Sequence, residues 1–217
     1  MKKVLLIVMF VLLAATAVFA QRPSTNGRGP AYKVGDTGPG GGVIFYHDPE
    51  GFTVQGYGKR GDEGYFASYT AFYLEAAPLK TAATAQWGNQ GNVVSEVTTF
   101  TGGGDPKAGV IGNGRKDTQI VAAHMKGRGI TDSAAQKCAE LTEGGLNDWF
   151  LPSPGELLEL FKQAGLKGVE LKNEALWSSS QSTGQQAASV RPGSGAAGQV
   201  YADNKENRKT VRAMRAF

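Results

Sequence analysis

Gly144-Gly145-Leu146-Asn147-Asp148-Trp149-Phe150-Leu151-Pro152-Ser153-Pro154-Gly155-Glu156-Leu157-Leu158-Glu159-Leu160 decides the reading of this chain. The paired glycines make a turn, Trp149 and Phe150 are bulky anchors, and a helix start follows at once. Ser153 can cap that helix, Pro154 suits its first position, and Glu156 can reach back to the Ser153 backbone N–H. Beyond the cap, Leu157, Leu158, Leu160, Phe161 and Ala164 recur at helical spacing and make one apolar face. These residue types specify architecture, and none is an obvious catalyst.

The same block, read as Gly-x-x-Asp-Trp-Phe-Leu-Pro-Ser-x-x-Glu-Leu from Gly145, has companions. They are Leu176-Trp177-Ser178-Ser179-Ser180 and the ending Val211-Arg212-Ala213-Met214-Arg215-Ala216-Phe217. Together they resemble the DUF1566 family, which is related to the C-terminal domain of the Legionella collagen-like adhesin. Val34-Gly35-Asp36-Thr37-Gly38-Pro39-Gly40-Gly41-Gly42-Val43-Ile44-Phe45-Tyr46 and Tyr73-Leu74-Glu75-Ala76-Ala77-Pro78 resemble a bacterial branch of it. The resemblance runs in order from about residue 34 to residue 217. It implies a C-type-lectin-like fold, shared with formylglycine-generating enzymes and with variable ligand-binding proteins of phages and bacteria. Activity stays open, because one fold hosts many activities. The catalytic relatives use paired cysteines in copper-dependent oxidation. Cys138 is the only cysteine here, so that activity is not expected.

The N-terminus reads as a secretory signal. Lys2 and Lys3 precede an almost wholly apolar run from Val4 to Phe19, and Val18-Phe19-Ala20 offers a cleavage site. The expected organisation is a signal peptide over 1–20, a flexible lead-in over 21–33, and one domain over 34–217. The run is short for a membrane span and lacks a basic stop-transfer cluster, so no stable anchor is expected after cleavage. The destination is the periplasm, the cell surface or the exterior. Loss of Lys2 and Lys3 halves the formal charge of +4. So small a positive balance argues against a nucleic-acid partner. Cys138 lies among Ala134, Ala135 and Leu141 and reads as a small buried apolar residue.

Along the chain, Val43 to Tyr46 reads as a strand and Phe52 to Val54 as its hairpin partner across the Asp48–Gly51 turn. Gly56 to Gly64 reads as a loop insertion, Ala71 to Ala76 as a strand ended by Pro78, and Thr81 to Gly114 as a long polar stretch anchored by Trp87 and Phe100. Asp117 can cap a helix through Met125, and Ser133-x-x-Gln136 can open a second that stops at Gly144-Gly145. Strands are expected over 176–179, 187–191, 199–202 and 210–217. The expected class is α+β: a C-type-lectin-like fold with a mainly antiparallel sheet, terminal strands close together, and two or three helices.

No constellation specifies chemistry. His47 and His124 sit in neither an HExxH nor a Cys-x-x-Cys pattern, and no Gly-x-Ser-x-Gly elbow accompanies His47-Asp48. No catalytic residue, metal or cofactor is expected. Asn147-Asp148-Trp149 has the composition of the Trp-Asn-Asp signature of calcium-dependent lectins in another order, and reads as packing plus turn capping. The glycines before Arg115-Lys116 precede a helix and could hold an anion.

The stretch from Ser180 to Arg208 remains. Its adaptable polar residues and one aromatic suit a recognition surface, and the expected ligand-binding residues are Arg191, Tyr201, Asp203, Asn204, Lys205 and Arg208. Lys205, Arg208, Lys209, Arg212 and Arg215 could attract sulfated or phosphorylated polymers, although Arg212 and Arg215 cannot share one face of a regular strand. The chain is expected to be a non-enzymatic, exported binding module for a carbohydrate, a surface polymer or a protein. The alternative is a structural or assembly protein of the cell envelope.

Overall fold

The computed structural model describes residues 31–217, except 90, 92, 103–104, 106–109, 172–173 and 194–196. The expected signal peptide and most of the lead-in lie outside the described residues. Tyr32–Phe217 form one unit. Among the described residues, eight strands are arranged with three α-helices: β1 (Val43–Val54), β2 (Tyr69–Ala76), β3 (Ala83–Gln86), α1 (Gly114–Gly127), α2 (Ala134–Ala139), α3 (Pro154–Lys162), β4 (Leu176–Gln181), β5 (Gln186–Pro192), β6 (Gly198–Asn204), β7 (Arg208–Val211) and β8 (Met214–Ala216). The class is α+β with mostly antiparallel sheets, as the strand and helix patterns imply.

The strands divide between two sheets, ordered β1-β2-β8 and β3-β7-β4-β5-β6. This corrects the single-sheet expectation, although the first and last strands do flank β2 in one sheet. Pairing is antiparallel except for β4 beside β7. The expected strand over 210–217 is in fact two. β7 ends at Val211, Arg212 and Ala213 carry the chain across, and β8 begins at Met214 in the other sheet. The 43–54 hairpin is also corrected: Phe52 to Val54 continue β1 past an irregularity and pair with Tyr69 to Ala71.

Strand alternation explains how the motif blocks build the interior. Successive side chains of an extended segment point in opposite directions. Trp149 and Leu151 therefore join one buried cluster, with Trp87, Val121, Met125 and Trp177. Phe150, between them, joins a second with Phe45, Leu74, Leu157, Phe161 and Met214. Leu176 and Trp177 divide the same way, as do Ala213 and Met214. The extended block is held to β8 by reciprocal bonds, Phe150 N–H to Met214 C=O at 2.8 Å and Met214 N–H to Phe150 C=O at 2.9 Å. Trp149, Phe150, Leu151, Leu157, Leu160, Phe161 and Trp177 are all buried. Phe217 is half-buried, stacked on Tyr73 at 5.5 Å.

Two helix starts match their sequence signals. Ser133 with Gln136 and Ser153 with Glu156 both form reciprocal capping boxes, and Pro154 opens α3. α1 departs from expectation. It starts at Gly114 with Asn113 before it, so Asp117 lies inside the first turn and caps nothing. Its buried carboxylate instead accepts the Thr98 N–H at 3.2 Å, and burial pushes its pKa up to about 7. Cys138 is buried in α2, which pushes its thiol above the usual range. The Trp177 indole donates inward to Ala85 C=O at 3.1 Å. Of the three serines that follow, Ser178 donates to Ala188 C=O at 2.8 Å, whereas Ser179 and Ser180 find no partner for their hydroxyls among the described residues.

Candidate functional site

Four motif blocks meet at a buried clamp. Arg215 of β8 donates from Nε and Nη2 to Asp148 at 2.9 and 3.0 Å and lies 3.3 Å from Glu75 of β2. Glu75 in turn accepts the N–H groups of Gly40 and Gly42, at 3.0 and 2.7 Å through Oε1. A Cβ on Gly42 would stand 2.0 Å from Ala76 C=O, and one on Gly40 would strike the Trp149 ring, so both positions need glycine. Burial alone would lower the Arg215 pKa, but Asp148 and Glu75 outweigh it and raise it. Asp148 is thus an ion-pair partner, which corrects its reading as a turn cap. This arrangement locks turn, sheet and C-terminal strand together, and its groups face one another.

The surface candidates are positioned by the β5–β6 ladder. Ala187, Ser189 and Arg191 lie opposite Asp203, Tyr201 and Gln199 respectively. Alternation sets all six on one face of the sheet. The Arg191 guanidinium sits 4.2 Å from the Tyr201 ring centroid, and its Nη2 donates to Asp203 Oδ2 at 2.7 Å. Ser189 Oγ donates to the same oxygen, and Lys209 Nζ lies 3.1 Å from it. Burial would raise the Asp203 pKa, yet these three donors lower it. The Tyr201 hydroxyl donates to Gln199 Oε1 at 2.6 Å, while its ring remains exposed. Arg191 is therefore fixed over an open aromatic ring at the edge strand β6.

The other expected binding residues part from this group. Asn204 Oδ1 accepts the Glu206 N–H at 2.9 Å and shapes the turn into β7. Arg208 is exposed, with Nη2 donating to Thr84 C=O of β3 at 2.7 Å. Lys205 is fully buried, with Nζ 4.6 Å from the Trp87 ring centroid and 3.3 Å from Gln181 Oε1. Burial pushes its pKa down to about 8. Lys205, Arg212 and Arg215 are all inside, so these five basic residues form no continuous strip, as the strand alternation of Arg212 and Arg215 already implied. Ser189 and Gln199 were missed, although pairing 187–191 against 199–203 by alternation would have found them.

The glycine loop before α1 is not an anion cradle either. Gly109 lies outside the described residues. Gly112 N–H goes to Glu156 Oε1 at 2.8 Å, and Gly114 N–H also serves that buried carboxylate. Glu156 already takes up these N–H groups, and burial raises its pKa. His47 is exposed and stacks on Tyr73 at 4.6 Å, and His124 Nε2 accepts from Arg128 Nε at 3.2 Å. Among the described residues no three His, Cys, Asp or Glu side chains converge as a metal-binding group. Three clefts, of about 200, 310 and 340 Å³, are lined by none of the six expected binding residues.

No family model matches the chain, and no curated protein matches it. Among solved structures, the chain is similar to a fimbrial protein from Bacteroides ovatus, with 13% identity and a TM-score of 0.54. The likeness covers 81% of this chain but 44% of the fimbrial protein, so this chain spans less than half of that structure. At this identity the likeness speaks to the fold.

Proposed function

We propose that this is an exported protein of the cell envelope that acts by contact, in structure or assembly, without a catalytic step. The frame is read as a member of the DUF1566 family with a C-type-lectin-like fold, on the motif blocks that the clamp brings together. The observation that carries the functional reading is the Arg191–Tyr201 pair where β5 meets the edge strand β6, outside all three clefts. A sheet face with a fixed guanidinium over an open ring suits a broad protein partner, because Arg and Tyr are the side chains that anchor protein interfaces. The likeness to a fimbrial protein supports a role at the surface. The exposed Tyr201 ring also supports a second reading, a glycan stacked on it.

A photo-crosslinking residue at position 201, in cells exporting the chain, is expected to give a discrete protein adduct. The same residue at position 59, an exposed site on the early loop, is the control. No adduct, or the same adducts from both positions, overturns the protein-contact reading. Retention on a glycan array that Tyr201→Ala abolishes would select the glycan reading instead.

A further inference from the structure

Arg212 is a buried cation without a buried anion. Only 3% exposed, it joins β7 to β8 and donates to three backbone carbonyls. Nε reaches Ala77 C=O at 2.7 Å, Nη2 reaches Gly168 C=O at 2.7 Å, and Nη1 reaches Val169 C=O at a long 3.4 Å. None of the ion pairs of the described residues involves it. Arg215, three residues on, has two carboxylates. A guanidinium has five N–H donors, so two of those on Arg212 remain. A charge held out of water is costly unless an opposite charge compensates it.

Arg212 also lines two of the clefts. In the smaller, Glu170 and Glu174 stand on the wall and repel a second anion. The larger, about 340 Å³, is bounded by the glycine turn before β1, by Gly168, and by the exposed Lys167. Asp36 is the carboxylate on that wall, and it offsets one of the two positive charges. Among the residues lining this larger cleft the balance is a single positive charge. Glu170, on the wall of the smaller one, also acts on Arg212, so the site is at most singly positive, with two guanidinium N–H donors not engaged by the protein.

We propose that the cleft over Arg212 and Lys167 is an oxyanion site that takes the carboxylate of a small ligand. The guanidinium supplies the directional donors and Lys167 the second charge. The one net charge favours a carboxylate over a doubly charged phosphate. This site is separate from the β5–β6 contact and does not depend on it.

The test titrates the isotope-labelled exported chain with sodium acetate, sodium galacturonate and inorganic phosphate, at constant ionic strength held by chloride. Either carboxylate is expected to shift the Gly168 amide and Arg212 Nε–H signals to saturation. Lys167→Glu, a change on an exposed side chain, is expected to weaken binding by about tenfold or more. Arg212→Lys, which keeps the charge and loses the planar fork, is expected to weaken it similarly. Tighter binding of galacturonate than acetate would assign a sugar acid, and equal binding the carboxylate group alone. Non-saturating shifts, saturation by phosphate only, or unchanged affinity in Lys167→Glu would overturn the proposal.

Discussion

The clamp at Arg215 and the network at Arg191 are made from the same chemistry and do opposite work. Each sets an arginine against a carboxylate and an aromatic ring. Arg215 lies 4.6 Å from the Phe217 ring centroid and Arg191 4.2 Å from that of Tyr201. Around Arg215, Asp148 and Glu75 answer the charge and Trp149 closes over the glycine turn. Around Arg191, Asp203 is shared with Lys209 and Ser189, and one side of the assembly meets water. Burial, more than residue type, separates a structural joint from a surface able to touch something else. A solvent-screened pair contributes little to stability, so its arrangement is free to serve recognition.

The largest effects are expected at the buried joint. Trp149→Ala should destabilise by about 3–5 kcal/mol through the cavity it leaves, measured by urea unfolding. Arg215→Met should cost a comparable amount, about 3–5 kcal/mol, because it strands Glu75 and Asp148. If either loss lies within experimental noise, the two regions do not differ as described.

Asp117 gives the next effect, and it depends on pH. Its folded pKa, about 7, stands above the usual 3.8, chiefly through burial, with Glu156 raising it and Lys116 lowering it. A carboxyl raised on folding stabilises fully at low pH, and that contribution is lost as pH rises through the folded value. Asp117→Asn should therefore gain on the wild type by about 2–4 kcal/mol between about pH 4 and pH 8. Unfolding midpoints that keep a constant difference across this range would contradict the assignment.

Ser153→Ala should cost about 1–2 kcal/mol, since it removes the α3 cap and the 2.9 Å bond to Val110 C=O. The smallest effect is expected at the surface. Arg191→Ala should change stability by less than about 1 kcal/mol while abolishing the crosslink from position 201. A larger stability loss there would move Arg191 to the structural side of the comparison.

Local signals were legible where their partners lie close in sequence. Both capping boxes span three residues, and the Trp149-Phe150-Leu151 run announces its burial by size and apolarity. The resting places of the basic residues were not legible. Lys205 is matched to Trp87, Arg212 to Ala77, and Arg215 to Glu75, each across more than a hundred positions. Charge along the chain cannot reveal that a lysine lies over an indole or that an arginine meets carbonyls from two loops. The partition into two sheets was hidden for a similar reason, since Arg212 and Ala213 break an apparently continuous strand.

That break sets the order of assembly. β7 fills the gap between β3 and β4, and β8 borders β2, so neither sheet is complete until residues 208–216 are in place. Contacts this distant along the chain close slowly. Until that segment docks, β3 and β4 have no strand between them and β2 has one bare edge. Residues 208–216 therefore fasten both layers at once, and a change that keeps them from docking would leave two open sheet edges, at β2 and at β4.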